Sequence, residues 1–268
     1  MQIKVFQLRY FIHIGYNGNN YRGWQKLPGI VSVQQVIETM LSQILKEQVT
    51  IVGCGRTDAQ VHASQFFFHV DIDQEFTFDL KFRLNKCLPH AITIFDVLQM
   101  EGLPHARFDA IRRSYDYFIH TRKDPYLVGL SSYYPFPDLD LVKMNDAVAL
   151  LTSYNDYGCF CKSPSKYEHT ICNVSEAQLF TDNNRTRLRF HITSNRFLAG
   201  MIRIIVGKLL EIGNGDLSVS DFEQFLETKV TPKIIVPVYA QGLYLSKVTY
   251  PYLDLPNGSV FNNILLIP

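Results

Sequence analysis

The chain has 268 residues, of which 47% are apolar and 19% charged, and its formal net charge is +1. This composition is typical of a globular protein with one large core or two smaller fused cores. No segment approaches the roughly 18 consecutive apolar residues that a membrane-spanning helix needs. Because the N-terminal residues lack an apolar segment ending in small side chains, we expect no secretory signal and a cytoplasmic protein.

The near-neutral charge neither requires nor excludes nucleic acid, since RNA binding needs basic residues gathered on one face. Arg185, Arg187 and Arg189 alternate along a predicted strand, and the simplest interpretation is a solvated strand face.

The five cysteines are odd in number and widely spaced, which argues against a disulfide framework. Four possible zinc ligands lie close together in the sequence: Cys159, Cys161, His169 and Cys172. The first pair, however, is spaced too closely for usual structural zinc ligands. We therefore expect cytosolic thiols and no metal.

Hydrophobic spacing predicts alternating strands and helices in both halves of the chain. In order, the first half carries a strand at 8–15, a Gly- and Asn-rich loop at 15–23, a helix at 33–47 with Ser32 as N-cap, a short strand at 49–53, and strands at 66–70, 92–98 and 114–121. The second half carries a helix at 140–151, strands at 172–180 and 186–193, an apolar helix at 196–212 capped by Ser194 or Asn195 and stopped at Gly213-Asn214-Gly215, a short helix at 218–227 and a last strand at 242–250. The pattern indicates an α+β protein with two similar lobes. The proline-rich stretch 123–139 is the best boundary, which gives domains 1–123 and 124–268.

The segment from Gly53 to Ala63 is the most informative for chemistry. Two glycines follow an apolar strand, so the backbone can turn sharply there. Arg56 and Asp58 follow, and a nearby guanidinium favours the charged form of a carboxylate. An ionised carboxylate at the end of a strand is a possible nucleophile or base. On the residues alone, a structural Arg–Asp pair in a turn is the more common explanation.

Further motifs change that balance. In chain order they are Tyr16-Asn17-Gly18 with Tyr21-Arg22-Gly23-Trp24-Gln25, Ser32-Val33-Gln34, Asn85 with Leu88-Pro89, His105-Ala106-Arg107-Phe108, Arg113-Ser114-Tyr115-Asp116-Tyr117, Phe197-Leu198 with Met201-Ile202-Arg203, and Gly242-Leu243-Tyr244-Leu245. Together with Gly55-Arg56-Thr57-Asp58-Ala59, they resemble the motifs of the tRNA pseudouridine synthase A family. The matches run in order along nearly the whole chain, and chance does not explain them.

The resemblance implies a cofactor-free isomerase that converts uridine to pseudouridine in tRNA, at positions 38 to 40 of the anticodon stem-loop, with Asp58 as nucleophile. It implies two ferredoxin-like lobes whose antiparallel sheets join into one continuous sheet, with helices on one face and a central active-site cleft. It also implies a homodimer with tRNA spanning both subunits. The sequence contains no Walker loop, no Gly-x-Gly-x-x-Gly and no zinc pattern. We therefore expect no nucleotide cofactor, no metal and no membrane partner.

The resemblance also assigns roles to other side chains. Arg203 is expected to be the buried partner of Asp58, with Arg56 as a further active-site or RNA-binding cation. Ala199, Arg203, Val206 and Leu210 share one helical face, where an arginine among apolar side chains is costly unless it is paired. Tyr115 is expected to stack on the target uracil and to help remove the C5 proton, with Leu243 or Leu245 lining the pocket, whereas Tyr117 is expected in the core. The candidate RNA contacts are Arg22, Trp24, Lys26, Arg107, Arg112 and Arg113.

Several positions depart from the family pattern. Gln60 replaces a glycine, which strains or redirects the loop if that position needs a positive φ. Asn17 replaces Asp, and Val238-Tyr239 replaces the usual Ala-Pro. These changes leave open a divergent paralogue that acts on another tRNA site or another RNA, and an RNA-binding protein without turnover. A small-molecule hydrolase lacks a second clear catalytic carboxylate.

Overall fold

The computed structural model describes residues 8–73, 75–136, 138–230, 237–256 and 258. These residues form nine strands and five α-helices. In chain order they are β1 (Leu8–Tyr16), α1 (Val33–Leu45), β2 (Val52–Gly53), β3 (His62–Ile72), α2 (Leu80–Cys87), β4 (Ile92–Met100), β5 (Arg112–His120), β6 (Ser132–Tyr133), α3 (Leu141–Leu150), β7 (Val174–Thr181), β8 (Arg187–Ser194), α4 (Met201–Asn214), α5 (Val219–Thr228) and β9 (Leu243–Thr249). The predicted α+β class is confirmed.

The chain divides into two compact units. The first runs to Ile111 and includes the described residues that follow Leu243, and the second spans Arg112–Leu243. This division lies before β5, whereas the boundary taken from the proline-rich stretch lies after it. Among the described residues, no helix has both the length and the apolar character to cross a bilayer.

In the first unit, β1 lies between β4 and β3 and pairs antiparallel with both. β2 pairs antiparallel with β3, while β9 runs parallel to β3 through the pairs His62↔Tyr244 and Ala63↔Leu245. Nearly all of β3 is buried, including Phe66, Phe67 and Phe68 on alternating faces. A strand covered on both faces is apolar without alternation, which explains why the pattern recovered only part of β3.

In the second unit, β8 pairs antiparallel with β5 and with β7. The short strand β6 runs parallel to β5. Helix α3 packs on α4 and α5. The prediction of purely antiparallel sheets is therefore wrong at two places, β3·β9 and β5·β6. In each case the parallel partner is a segment of only a few paired residues.

The start of α4 also differs from the prediction of a helix over 196–212. The helix begins at Met201, because its N-cap Gly200 has φ +75, which a right-handed helix cannot contain. Ala199 lies before the helix, where its N–H donates to the Tyr167 hydroxyl and its carbonyl accepts from Lys162. The end of α4 lies two residues beyond the predicted one, since the helix includes Gly213 and Asn214 and stops at Gly215, which has φ +85.

Helix α1 begins as predicted, whereas α2 was not predicted. Ser32 caps α1 as predicted, since its hydroxyl accepts from the Gln35 N–H. Helix α2 was missed because only Leu80 and Leu84 of its eight residues are buried. Asn85 on α2 bonds both backbone groups of Ile94 on β4, at 2.8 and 2.9 Å, and so ties the helix to the strand.

Candidate active site

Asp58 lies on the loop that joins β2 to β3, within the first unit. Its side chain and that of Arg56 are exposed, while Thr57 between them is buried. The Thr57 hydroxyl lies 2.8 Å from the Tyr16 hydroxyl at the end of β1. The buried threonine thus anchors the loop, and the two flanking charged side chains are left on the solvent side.

The N-terminal loop after β1 holds this segment through its main chain. The Trp24 N–H donates to the Thr57 carbonyl at 3.1 Å, and the Gln60 N–H donates to the Tyr21 carbonyl at 3.1 Å. Because both bonds join backbone groups that flank Asp58, the position of its Cα is fixed by main-chain contacts on either side. The two sequence motifs are therefore parts of one local structure.

Two glycines permit the loops to approach so closely. A Cβ at Gly18 would collide with the Val61 carbonyl, and one at Gly23 would collide with the Thr57 carbonyl. Gly23 also has φ +92, a backbone conformation that residues with a Cβ rarely adopt. Gly18 donates its N–H to His62 Nδ1 at 3.1 Å, and the His62 ring stacks on Tyr244 at 4.3 Å. Through His62, the N-terminal loop is therefore also linked to β9, a contact that the sequence did not indicate.

Trp24 does not present its ring to solvent, which corrects its prediction as an RNA contact. It is 3% exposed and its ring centroid lies 4.1 Å from that of Phe66. A Cβ at Gly53 would lie 2.6 Å from the indole ring, so a glycine is needed beside it. Trp24 therefore supports the loop from inside the core.

The basic side chains near Trp24 differ from each other. Arg22 is exposed. The Lys26 ammonium pairs with the Glu38 carboxylate at 2.8 Å, and Glu38 is buried on α1. Glu38 also accepts from the Ile51 N–H and the Gln34 amide, so it is a structural acid that the helical pattern did not reveal. Lys26 offsets its charge.

Gln60 adopts φ +65, so this position does require a left-handed residue. Two main-chain hydrogen bonds hold the loop here, from the Gln60 N–H to the Tyr21 carbonyl and from the Val61 N–H to the Asp58 carbonyl. The substitution of glycine by glutamine is therefore accommodated as local strain, of about 1 kcal/mol.

Tyr115 and Tyr117 lie on β5, in the second unit. Tyr115 is half-buried, and its ring meets Phe197 edge-on with centroids 5.1 Å apart. Tyr117 is fully buried, as predicted. Its hydroxyl donates to the Tyr239 carbonyl at 2.7 Å and lies 2.9 Å from Ser132 Oγ. Burial raises the pKa of the Tyr117 phenol well above its ordinary value, so it remains a donor at neutral pH.

Arg203 lies in the first turn of α4 and is half-buried, rather than buried as predicted. Its Nε donates to the Val238 carbonyl at 2.7 Å, and the Val238 N–H donates to the Arg203 carbonyl at 3.2 Å. The guanidinium is thereby oriented by the segment that precedes β9. This pair of bonds involves Val238, one of the departures from the family pattern.

The remaining predicted site residues lie at varied depths. Leu243 and Leu245 on β9 are buried, Arg107 and Arg112 are exposed, and Arg113 is half-buried. Only two of the three alternating arginines lie on β8: Arg187 pairs with Asp124 at 3.1 Å, and Arg189 lies over the Phe180 ring at 4.2 Å. Arg185 occupies the preceding turn with φ +57.

The cysteine-rich segment does not resemble a metal site. Cys159, Cys161 and Cys172 are buried thiols. Burial raises the pKa of Cys159 to about 12 and that of Cys172 to about 11, which disfavours the thiolate that a metal binds. Within the part of the chain that the structure describes, no group of three or more His, Cys, Asp or Glu side chains is placed to hold a metal ion.

Comparison with known proteins points in one direction. Residues 147–251 match the family model described as tRNA pseudouridine synthase. A Porphyromonas gingivalis protein named tRNA pseudouridine synthase A is 39% identical over 246 residues, which cover 91% of this chain and 97% of that protein. Proteins of the same name from Azobacteroides pseudotrichonymphae and Staphylococcus aureus are 39% identical over 244 residues and 33% identical over 251 residues. They cover 91% and 92% of this chain, and 97% and 92% of their own lengths. The similarity therefore includes the segments of Asp58, Tyr115 and Arg203.

Proposed function

The chain belongs to the tRNA pseudouridine synthase A family, and from that premise we propose that it isomerises uridine in tRNA with Asp58 as the nucleophile. The observation that carries the assignment of Asp58 is its placement. The carboxylate is exposed, yet its backbone is held on both sides by the main chain of the N-terminal loop. A nucleophile needs this combination of access and fixed position.

The reaction conserves every atom of the nucleotide. The C1′–N1 glycosidic bond breaks, the uracil turns within the site, and C5 bonds to C1′. The proton on C5 is lost and N1 gains one, so no electrons are exchanged. Asp58 attacks either the ribose C1′ or the uracil C6, and in both routes a charged carboxylate divides one difficult step into two easier ones.

We assign supporting roles by the family resemblance. Arg203 is the proposed cation that stabilises the Asp58 carboxylate, and Arg56 is a second cation for the active site or the RNA. Tyr115 is the proposed stacking surface for the flipped uracil, which recovers part of the few kcal/mol that leaving the base stack costs. Leu243 or Leu245 would line the pocket. Both are buried, so little of either side chain is open to a bound base.

The substrate region and assembly are also part of the proposal. Uridines 38 to 40 of the anticodon arm are the proposed targets, in a cytoplasmic homodimer. Arg22, Arg107 and Arg112 are exposed and suit phosphate contacts; Arg113 and Lys26 are weaker candidates, since Arg113 is half-buried and Lys26 is paired with Glu38. Up to β4 the first unit has the chain order β-α-β-β-α-β, and its strands lie in the order β4-β1-β3, with β2 and β9 both paired to β3; this arrangement supports a ferredoxin-like lobe.

Asp58→Ala tests the central assignment. Pseudouridine formation in unmodified tRNA should fall by at least about a thousandfold, because the residue forms the reacting bond. Binding of the same tRNA should persist. Asp146→Ala, which removes an exposed carboxylate from α3, is the matched control and should retain activity. Undiminished turnover by Asp58→Ala would refute the proposed nucleophile.

A divergent paralogue with another target is the second candidate. It is favoured by the departures at Gln60 and Val238-Tyr239, which lie beside residues assigned to catalysis. Mapping pseudouridine after incubation with unmodified total tRNA decides between them. Product outside positions 38 to 40 would overturn the substrate region and leave the chemistry of Asp58 in place.

A further inference from the structure

Three aromatic rings in the second unit form a stack that ends at the surface. Tyr134 lies in the middle, with its ring centroid 6.2 Å from that of Phe136 at an interplanar angle of 10°. On its other side the Tyr239 ring lies 5.5 Å away, tilted by 31°. Phe136 and Tyr134 are half-buried, whereas Tyr239 is 58% exposed. The stack therefore ends at a tyrosine that is largely exposed to solvent.

The backbone of Tyr239 is fixed on both sides of its Cα. Its carbonyl accepts from the Tyr117 hydroxyl at 2.7 Å, and its N–H donates to the Tyr134 hydroxyl at 3.1 Å. Burial raises the pKa of Tyr134, so this phenol is neutral at physiological pH. A proline, which the family has here, lacks the N–H that makes the second bond. The backbone of Tyr239 is thus held in place and its ring lies against Tyr134, which lowers the conformational entropy lost when a base stacks on it.

The segment that carries Tyr239 is also bonded to Arg203. Val238 directly precedes Tyr239, and it exchanges two hydrogen bonds with Arg203, at 2.7 and 3.2 Å. The exposed ring is therefore attached to the segment that orients a proposed active-site cation. An exposed aromatic ring on this segment, in a protein whose family modifies RNA, is suited to a nucleobase.

We propose that Tyr239, mounted on Tyr134, is a substrate-positioning residue on which a base of the RNA near the target uridine stacks. This proposal rests on the function proposed above and adds a contact that the family's proline does not offer in the same form. Aromatic rings stack on any base face, so the contact raises affinity without reading sequence. It orients the RNA and takes no part in bond breaking.

The test compares Tyr239→Phe, Tyr239→Ala and Tyr239→Pro. Tyr239 has φ −53 and ψ 142, which proline adopts without strain, so all three variants should fold. Because one stacked base is worth about 1–3 kcal/mol, Tyr239→Ala should raise KM for unmodified tRNA at least fivefold with kcat preserved. Tyr239→Phe keeps the ring and should stay within twofold of the parent protein. Tyr126→Ala, which removes an 87% exposed tyrosine from the same unit, is the surface control.

Any one of three outcomes overturns the proposal. A KM for Tyr239→Ala equal to that of Tyr126→Ala would exclude stacking. A rise confined to Tyr239→Pro would assign the effect to the lost N–H, and a fall in kcat alone would assign it to Arg203. Dissociation constants of the same variants for tRNA are measured in parallel. If the parent protein makes no pseudouridine, the proposed function fails, and a weaker dissociation constant for Tyr239→Ala alone still supports the stacking.

Discussion

The loop of Asp58 and the segment of Arg203 are held by different chemistry. Around Asp58, main-chain groups bond mostly to other main-chain groups, beside the Thr57 hydroxyl, and glycines at 18 and 23 allow a contact too close for any side chain. Around Arg203, side chains bond to the backbone: the Tyr117 and Tyr134 phenols bond to Tyr239, and the Arg203 side chain bonds to the Val238 carbonyl. The first arrangement tolerates almost no change at its contact points, whereas the second can be retuned by substitution.

The departures from the family pattern fit this difference. Val238-Tyr239 changes two adjacent residues in the side-chain-held segment and gains a hydrogen bond and a ring contact. In the backbone-held loops, Asn17 replaces Asp and Gln60 replaces a glycine, and Gln60 is exposed. The cost of having Gln60 at this position is the backbone strain of its positive φ. Three predictions test the comparison, beginning with the largest effect.

Gly23→Ala should break the backbone-held loop. The new Cβ meets the Thr57 carbonyl in a backbone that already has φ +92, so we expect a loss of about 3 kcal/mol in the free energy of unfolding. Pseudouridine formation should fall with it, because Asp58 is displaced. Gly29→Ala is the matched control. It also has a positive φ, +71, but no neighbour within 4 Å, and should cost only about 1 kcal/mol. Equal losses at the two glycines would show that close approach contributes nothing.

The sequence indicated that glycines 18 and 23 matter, but not what they touch. Periodicity located most strands and α1 with its Ser32 cap, because those elements have one buried stripe or alternating faces. It misplaced the start of α4, where Phe197 and Leu198 continue the apolar spacing although Gly200 turns the chain. Contacts between motifs, such as Trp24 packing on Phe66, depend on tertiary structure, and local spacing carries no information about them.

Tyr117→Phe should loosen the side-chain-held segment. Loss of the hydroxyl leaves the Tyr239 carbonyl without that donor, and we expect a cost of about 1–2 kcal/mol in the free energy of unfolding. Because the same segment orients Arg203, kcat at saturating tRNA should fall several-fold. Tyr157→Phe removes another buried phenol of the same unit, one bonded to the Leu151 carbonyl. It should cost similar stability and leave kcat unchanged. A fall in kcat shared by both variants would indicate general destabilisation, and the distinction between the two segments would then fail.

Gln60→Gly gives the smallest effect and sharpens the comparison most. Glycine relieves the left-handed strain at φ +65, which is worth about 1 kcal/mol, but it also adds freedom to the unfolded chain, which offsets about half of that gain. We therefore expect a net stabilisation of about 0.5 kcal/mol, measured by denaturant unfolding. The same change at Gln43, an exposed residue of α1 with helical geometry, should instead destabilise by about 1 kcal/mol. Opposite signs at two exposed glutamines would place the strain in the backbone of the Asp58 loop. A loss of stability at both positions would mean that Gln60 contributes a side-chain contact, and that the loop does not depend on backbone alone.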